Sequence, residues 1–159
     1  MQGIAQRVQG MYLQLDCPEW MSGSDFSNFL IDPRLRAEIG NRKAVLWNAH
    51  FRFDAELWST FDFLGGGIFE IFEEQPHLFL LFRPHPLLWK QLNNMGVLDR
   101  AGVHAFKREL IARGVIIDER PDHRHVFAAS AAMLSDVGSF LLEYLVTEKP
   151  VFYWKIQTG

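Results

Sequence analysis

Leu78 to Phe82 is an unbroken run of five large apolar residues, followed at once by Arg83-Pro84-His85-Pro86. A strand with one face in water alternates apolar and polar residues. A continuous run needs cover on both faces, as in the parallel sheets of α/β proteins. Proline cannot donate to a sheet ladder, so Pro84 and Pro86 end the strand and stiffen the backbone beyond it. The stretch therefore predicts a class of fold and a place within it. In an open α/β sheet, ligands bind outside the carboxyl ends of the strands. A guanidinium on Arg83 and an imidazole on His85, held there together, suit a phosphate.

The rest of the chain supports an alternating pattern. Ala44-Val45-Leu46-Trp47-Asn48 reads as the first strand, ending at Ala49-His50-Phe51, with a loop running to about Trp58. A helix over Ile68 to Glu74 precedes the run at Leu78, and the triplet Gly65-Gly66-Gly67 reads as a junction just before that helix. Val103, Phe106 and Leu110 share one helical face, which Gly114 ends. Val115-Ile116-Ile117 is a short buried strand. Val126 to Ala132 is a helix of small residues leading into Met133-Leu134-Ser135-Asp136, Ser139 to Glu148 a further helix, and Val151 to Trp154 a last strand. Near the start, Asp25 to Ile39 holds one short helix, capped by Asp25 or Ser27 and ended by Gly40, with Pro33 as a break in its middle. Strands alternating with helices predict an α/β fold with a Rossmann-like, doubly wound parallel sheet. The organisation expected is an N-terminal arm over 1–41, a Rossmann-like domain over 42–154 and a tail over 155–159.

Bulk properties narrow the function classes. The 159 residues suffice for one domain with a real core, and 14 Phe and 5 Trp give it an aromatic-rich interior. A formal net charge of -3 with interspersed signs gives no general attraction to nucleic acid or anionic lipid. Cys17 is the one cysteine, so no disulfide framework forms, which suits a reducing compartment. No apolar run approaches the roughly 20 residues that span a bilayer, and no signal peptide is visible. These readings place the protein in the cytoplasm.

Three strand ends collect polar groups: His50 after the first, Arg83 and His85 after the second, and Ser135, Asp136 and Ser139 after the fourth. In a parallel sheet these open onto one edge. Ser135-Asp136-Val137-Gly138-Ser139 lies where a strand turns into a helix, and unpaired main-chain N–H groups at a helix start attract anions. Gly138 lets a ligand approach the backbone, the hydroxyls of Ser135 and Ser139 can donate to phosphate oxygens, and Glu143 one turn on can accept from a ribose. Each feature also has an ordinary structural meaning. Ser, Asp and Gly cap many helices that bind nothing, and Arg83 can pair with a nearby carboxylate. Asp122-His123-Arg124-His125 lacks the helical spacing and the cysteine partner of a metal site and reads as a polar helix start. Gly65-Gly66-Gly67 is no phosphate loop, since no Lys-Ser or Lys-Thr follows, and there is no Gly-x-Ser-x-Gly elbow for a hydrolase. Nothing in the sequence calls for a metal or a cofactor.

Taken together, Val45 to Phe51, Leu81-Phe82-Arg83-Pro84-His85-Pro86, and Met133 to Tyr144 continuing to Lys149-Pro150-Val151-Phe152-Tyr153 resemble the CDP-glycerol glycerophosphotransferase family. That family builds teichoic-acid-type and related capsular polymers. Order and spacing fit across about residues 43–154. The resemblance implies the C-terminal, nucleotide-binding half of a GT-B architecture, with CDP-glycerol or a related CDP-polyol as donor and a polymer hydroxyl as acceptor. It implies that Arg83, His85, Ser135, Asp136 and Ser139 surround the diphosphate and that Glu143 sits near the ribose. It gives His85 the task of stabilising the leaving charge or protonating it, and places His50 in the same cleft. Gly138 departs from the family pattern, which has a pair of serines there. The other half of the architecture is also missing. A separately encoded half, or a biosynthetic complex at the inner face of the membrane, would complete it. Two rivals remain: a non-catalytic interaction domain derived from such an enzyme, with Trp47, Trp58, Trp89 or Trp154 in a docking patch, and a half of a GT-B glycosyltransferase using a nucleotide sugar.

Overall fold

The computed structural model describes residues 31–53, 59–136 and 138–153, the side chains of 62–66 excepted. Residues 1–30 of the expected arm over 1–41, with the caps Asp25 and Ser27, and Trp58, Trp154 and the tail over 155–159 lie outside those residues. The elements run α1 (Pro33–Ile39), β1 (Lys43–Asn48), α2 (Phe61–Glu73), β2 (Leu78–Phe82), α3 (Leu88–Asn94) and α4 (Arg100–Ala112). They continue with β3 (Ile116–Ile117), α5 (Arg124–Ala129), β4 (Ala132–Ser135), α6 (Ser139–Tyr144), a 3₁₀ turn (Leu145–Thr147) and β5 (Val151–Tyr153).

The five strands form one parallel sheet in the order β3-β2-β1-β4-β5. Successive side chains of a strand point to opposite faces, and here both faces are covered. Leu46, Phe79, Leu81 and Met133 pack with Leu35 and Ile39 of α1, Val126 and Phe127 of α5, and Tyr144 of α6. Trp47, Leu80 and Phe82 pack on the other side with Ile68, Phe69, Leu88, Leu92 and Leu110 of α2, α3 and α4. This doubly wound arrangement explains why β2 carries no polar residue. From β1 the chain proceeds outward to β2 and β3, then returns to the opposite side of β1 for β4 and β5. The strand order therefore reverses between β1 and β4.

Several elements depart from the sequence expectation for identifiable reasons. Pro33 does not break a helix; it opens one, with Asp32 Oδ1 accepting from Arg34 N at 2.9 Å. A proline at the first helical position loses no hydrogen bond. Gly40 ends that helix with φ at 59°. The glycine triplet lies inside α2, which starts seven residues earlier than the expected Ile68. The first-turn ring of Phe61 stacks on Trp47 at 5.9 Å and on Phe82 at 5.8 Å, so packing overrides the poor helical propensity of glycine. The helix expected over Val126 to Ala132 is α5, shifted to Arg124–Ala129, and Ala132 already belongs to β4. The helix expected to Glu148 stops at Tyr144, and Glu148 turns left-handed (φ 56°) two residues before Pro150. Helix α3 has no counterpart in the sequence reading. Leu88 and Leu92 are its buried residues.

Candidate functional site

The carboxyl ends of β1, β2, β3 and β4 lie along one edge, and the residues after them form two adjoining clusters. The first straddles the reversal between β1 and β4. Here the ring centroids of His50 and His85 are 5.5 Å apart, and Phe51 packs against both, at 4.7 and 4.4 Å. Asn48 Nδ2 donates to Arg83 O at 2.9 Å, joining the ends of β1 and β2. Burial and the neighbouring His50 push the His85 imidazole below its ordinary value.

Asp136 organises this cluster from beneath. It is 3 % exposed. Its Oδ2 accepts from His50 N at 2.7 Å and Thr60 N at 3.0 Å, and its Oδ1 accepts from Thr60 Oγ1 at 2.5 Å. Both ends of the loop after β1 are thereby tied to β4. Ser59 adds a second tie, its hydroxyl donating to His50 O at 2.6 Å. Burial raises the Asp136 carboxyl above the ordinary carboxylate value, and the Thr60 and His50 donors offset only part of that. Ser135 is fully buried and its hydroxyl donates to Asp136 O at 2.8 Å. Ser139 is exposed, and Gly138 lies near His50: a Cβ added at Gly138 would sit 4.0 Å from His50 Cδ2. At φ 178° the backbone of Gly138 is extended, a conformation open to any residue.

The second cluster lies beyond β3. Arg83 turns away from His85 and pairs with Asp118 through Nη1, while its Nη2 donates to Arg120 O at 2.8 Å. Asp118 Oδ1 also meets Arg120 Nε at 2.8 Å and His125 Nε2 at 3.1 Å. Burial alone would raise the Asp118 carboxyl, but the hydrogen bond from Arg120 and the charge of Arg83, with His125 adding to them, hold it below the ordinary range. Next to this group, Glu143 Oε2 is 3.1 Å from His123 Nε2, and the His123 ring packs on Phe127 and Phe140 at 4.6 and 5.0 Å. Burial holds His123 below its ordinary value despite the opposing pull of Glu143. The Arg83 guanidinium lies 5.5 Å over the Phe140 ring and joins the Asp118 group to the His123 packing.

The structure thus gathers His50, His85, Asp136 and Gly138 at the reversal, and Arg83 and Glu143 beside it. Sequence reasoning missed Thr60 and Asp118, took His123 only as part of a polar helix start, and gave Phe51 no place in the site. Asp118 had a signal, since it follows a strand on the same edge. The Asp122-His123-Arg124-His125 stretch divides its partners: Asp122 holds Arg124, His123 meets Glu143 and His125 meets Asp118. Among the described residues no group of three or more His, Cys, Asp or Glu is placed to hold a metal ion. None of their helices is long and apolar enough to cross a membrane.

No protein-family model matches the sequence, nor does any curated protein. Solved structures with a similar fold include the S. aureus MnaA–UDP co-structure, at 16 % identity and a TM-score of 0.49, covering 76 % of this chain and 30 % of that one. The wall teichoic acid polymerase TagF is similar at 15 % identity and a TM-score of 0.45, covering 82 % of this chain and 29 % of that one. The chain thus spans less than a third of the length of either.

Proposed function

We propose that this chain binds the diphosphate of a nucleotide-linked donor, as the nucleotide-binding half of a GT-B-type transferase. The donor in this reading is CDP-glycerol or a related CDP-polyol, and the acceptor a hydroxyl of a cell-surface polymer. The observation that carries the reading is the meeting of His50 and His85 at the strand-order reversal, the crevice where open α/β sheets take ligands. In the transfer, an acceptor oxygen bonds to the phosphorus bearing the polyol, the bond to the bridging oxygen breaks, and a nucleoside monophosphate leaves as the acceptor gives up its proton. Such chemistry needs positioning and stabilisation of phosphate charge rather than a covalent nucleophile. His50, His85 and the exposed Ser139 face the phosphates in this reading, and Glu143 lies on the ribose side. Asp136 and Ser135 hold the loops. Arg83 acts as a brace to Asp118, with its charge felt at the site across a short distance.

Calorimetric titration with CDP, CDP-glycerol and UDP tests the proposal. CDP and CDP-glycerol should bind more tightly than UDP, and His85→Ala should weaken CDP roughly tenfold, the value of a hydrogen bond to a charged group. Absence of binding by all three at millimolar concentration would overturn it. Arg83→Ala is a poor probe, because it takes one of the cationic partners from the buried Asp118 and so disturbs the fold as well as the site. Gly138→Ser is a better one. The extended backbone and the 4.0 Å clearance accommodate the side chain, so stability should change by no more than about 0.5 kcal/mol. The added hydroxyl should tighten CDP binding. A large drop in melting temperature would contradict the clearance.

The internal commitment of Arg83, Asp136 and Ser135 favours a second reading, a domain that kept the fold and lost the reaction. Donor binding at a level unaffected by His85→Ala would favour it.

A further inference from the structure

We infer that the outward face of α4, with the turn that precedes it, docks on an anionic lipid bilayer, so that the chain lies on the membrane without crossing it. The inference does not depend on the donor-site reading. The whole chain carries a formal net charge of -3, yet between Leu87 and Arg113 five Lys or Arg stand against two Asp or Glu. A local excess of that sign draws a protein to anionic headgroups even where its net charge does not. Helix α4 buries Leu110 and packs Phe106 on the core, while Arg100, His104 and Arg108 are exposed. These three recur every four residues and so form one stripe along the outer face. Among the described residues no ion pair involves Arg100 or Arg108. The neighbouring acids are committed elsewhere. Asp99 Oδ1 accepts from Gly102 N at 2.7 Å, Glu109 lies 3.9 Å from Arg113, and Glu119 holds Lys107 at 2.7 Å.

Apolar side chains bound the stripe at both ends. Met95, Val97 and Ile111 are 48, 57 and 61 % exposed. Met95 and Val97 flank Gly96, whose φ of 71° turns the chain between α3 and α4. The turn is fixed, with Gly96 N donating to Asn93 O at 2.9 Å and Val97 N to Leu92 O at 3.0 Å. At the far end Ile111 follows Arg108 by three residues, on the same side of the helix. The 13 residues of α4 set the two ends about 20 Å apart. A protein groove that takes a helix needs apolar anchors one turn apart, and here Arg100, His104 and Arg108 occupy those places. A nucleic-acid backbone has no use for the apolar ends. A bilayer surface uses both, since cations meet its headgroups and apolar side chains enter the acyl boundary. Strand direction fixes where this face lies. Because β2 and β3 are parallel, α4 runs back from their carboxyl edge to their amino edge. The turn at Met95 to Val97 is therefore on the edge that carries His85, and a docked chain holds its crevice beside the bilayer.

Flotation of the full chain with vesicles tests the inference. Phosphatidylcholine vesicles containing about 30 % phosphatidylglycerol should carry the protein with them, and pure phosphatidylcholine vesicles should not. Salt at about 0.5 M should release it, because screening confines the attraction to a few ångströms. Arg100→Gln combined with Arg108→Gln should weaken vesicle binding roughly thirtyfold, at about 1 kcal/mol for each cation near the surface. Arg100→Lys combined with Arg108→Lys keeps the charge and should retain affinity within about threefold. Val97→Ser combined with Ile111→Ser leaves every charge in place and should weaken binding roughly tenfold, through the apolar area no longer buried. All four side chains are exposed, so the melting temperature should not change. No binding to the anionic vesicles at millimolar lipid, or equal binding to the neutral ones, would overturn the inference. So would full binding by the Val97→Ser, Ile111→Ser chain, or binding to a DNA duplex as tight as to the vesicles. Either of these last results would leave a charged face suited to another polyanion.

Discussion

Replacing Asp118 with Asn or Ala is expected to destabilise the fold by about 3–5 kcal/mol, the range found when one partner of a buried ion pair is removed. Only 1 % of the Asp118 side chain is exposed, against 12 % for Arg83 and 10 % for His125. Three groups from β2, the β3 loop and α5 converge on its two oxygens, and Arg120 goes on to Asp32, the cap of α1, at 3.1 Å. Loss of the carboxylate leaves the Arg83 guanidinium nearly enclosed with a main-chain carbonyl as its other partner. Asn keeps the shape and removes the charge, so a similar loss from Asn and Ala would assign the effect to charge. Chemical denaturation measures it. A loss below about 1 kcal/mol would mean that the cluster behaves as a surface ion pair.

The pH dependence gives the same assignment a sign. The folded-state carboxyl of Asp118 lies below the ordinary 3.8. Its contribution is therefore present in full above that value and is lost as pH falls through the folded-state value. The stability gap between the wild type and Asp118→Asn should accordingly narrow in acid below about pH 4. A gap that is constant or widens there would show that the carboxylate is not held down by its cationic partners.

Asp118 also shows where the sequence was readable and where it was not. The double-sided cover of the sheet was legible, because Leu78 to Phe82 has no polar residue to spare for water. The edge that gathers polar groups was legible for the same reason, since strand direction follows from strand burial. What escaped was partnership across sequence distance. Arg83 and Asp118 are 35 residues apart, and β3 is only two residues long, so nothing local marked its end as equivalent to the others. Helix α3 escaped because seven residues with two buried leucines carry too little period to detect. Helix α2 escaped in part because its glycines speak against a helix locally, and only the stacking of Phe61 on Trp47 and Phe82 decides the matter. Of the polar residues on the edge, type was readable but direction was not. Asp136 and Ser135 point inward, whereas Ser139 is exposed.

The inward direction of Asp136 yields the second large effect. Asp136→Ala removes the acceptor of three donors, the His50 amide and the Thr60 amide and hydroxyl. Each buried donor left unpaired costs about 1–3 kcal/mol, and water reaching the loop recovers part of that, so a net loss of about 3 kcal/mol is expected. The acid signature should oppose that of Asp118. Burial raises the folded-state carboxyl of Asp136 above 3.8, so its protonation favours the folded state in acid, and that advantage is lost as pH rises through the folded-state value. The gap between the wild type and Asp136→Asn should therefore widen as pH falls toward 3.8, where the Asp118 gap still holds steady. Two carboxylates on one sheet edge thus separate by the sign of their pH dependence, one held ionised by cations and the other penalised by burial. The same substitution also releases the loop that carries His50. CDP affinity should fall in Asp136→Asn even under conditions where the protein remains folded, while the His85 turn stays anchored by Leu87 N, which donates to His85 Nδ1. Unchanged affinity in a folded Asp136→Asn would mean that His50 holds its place without the carboxylate beneath it.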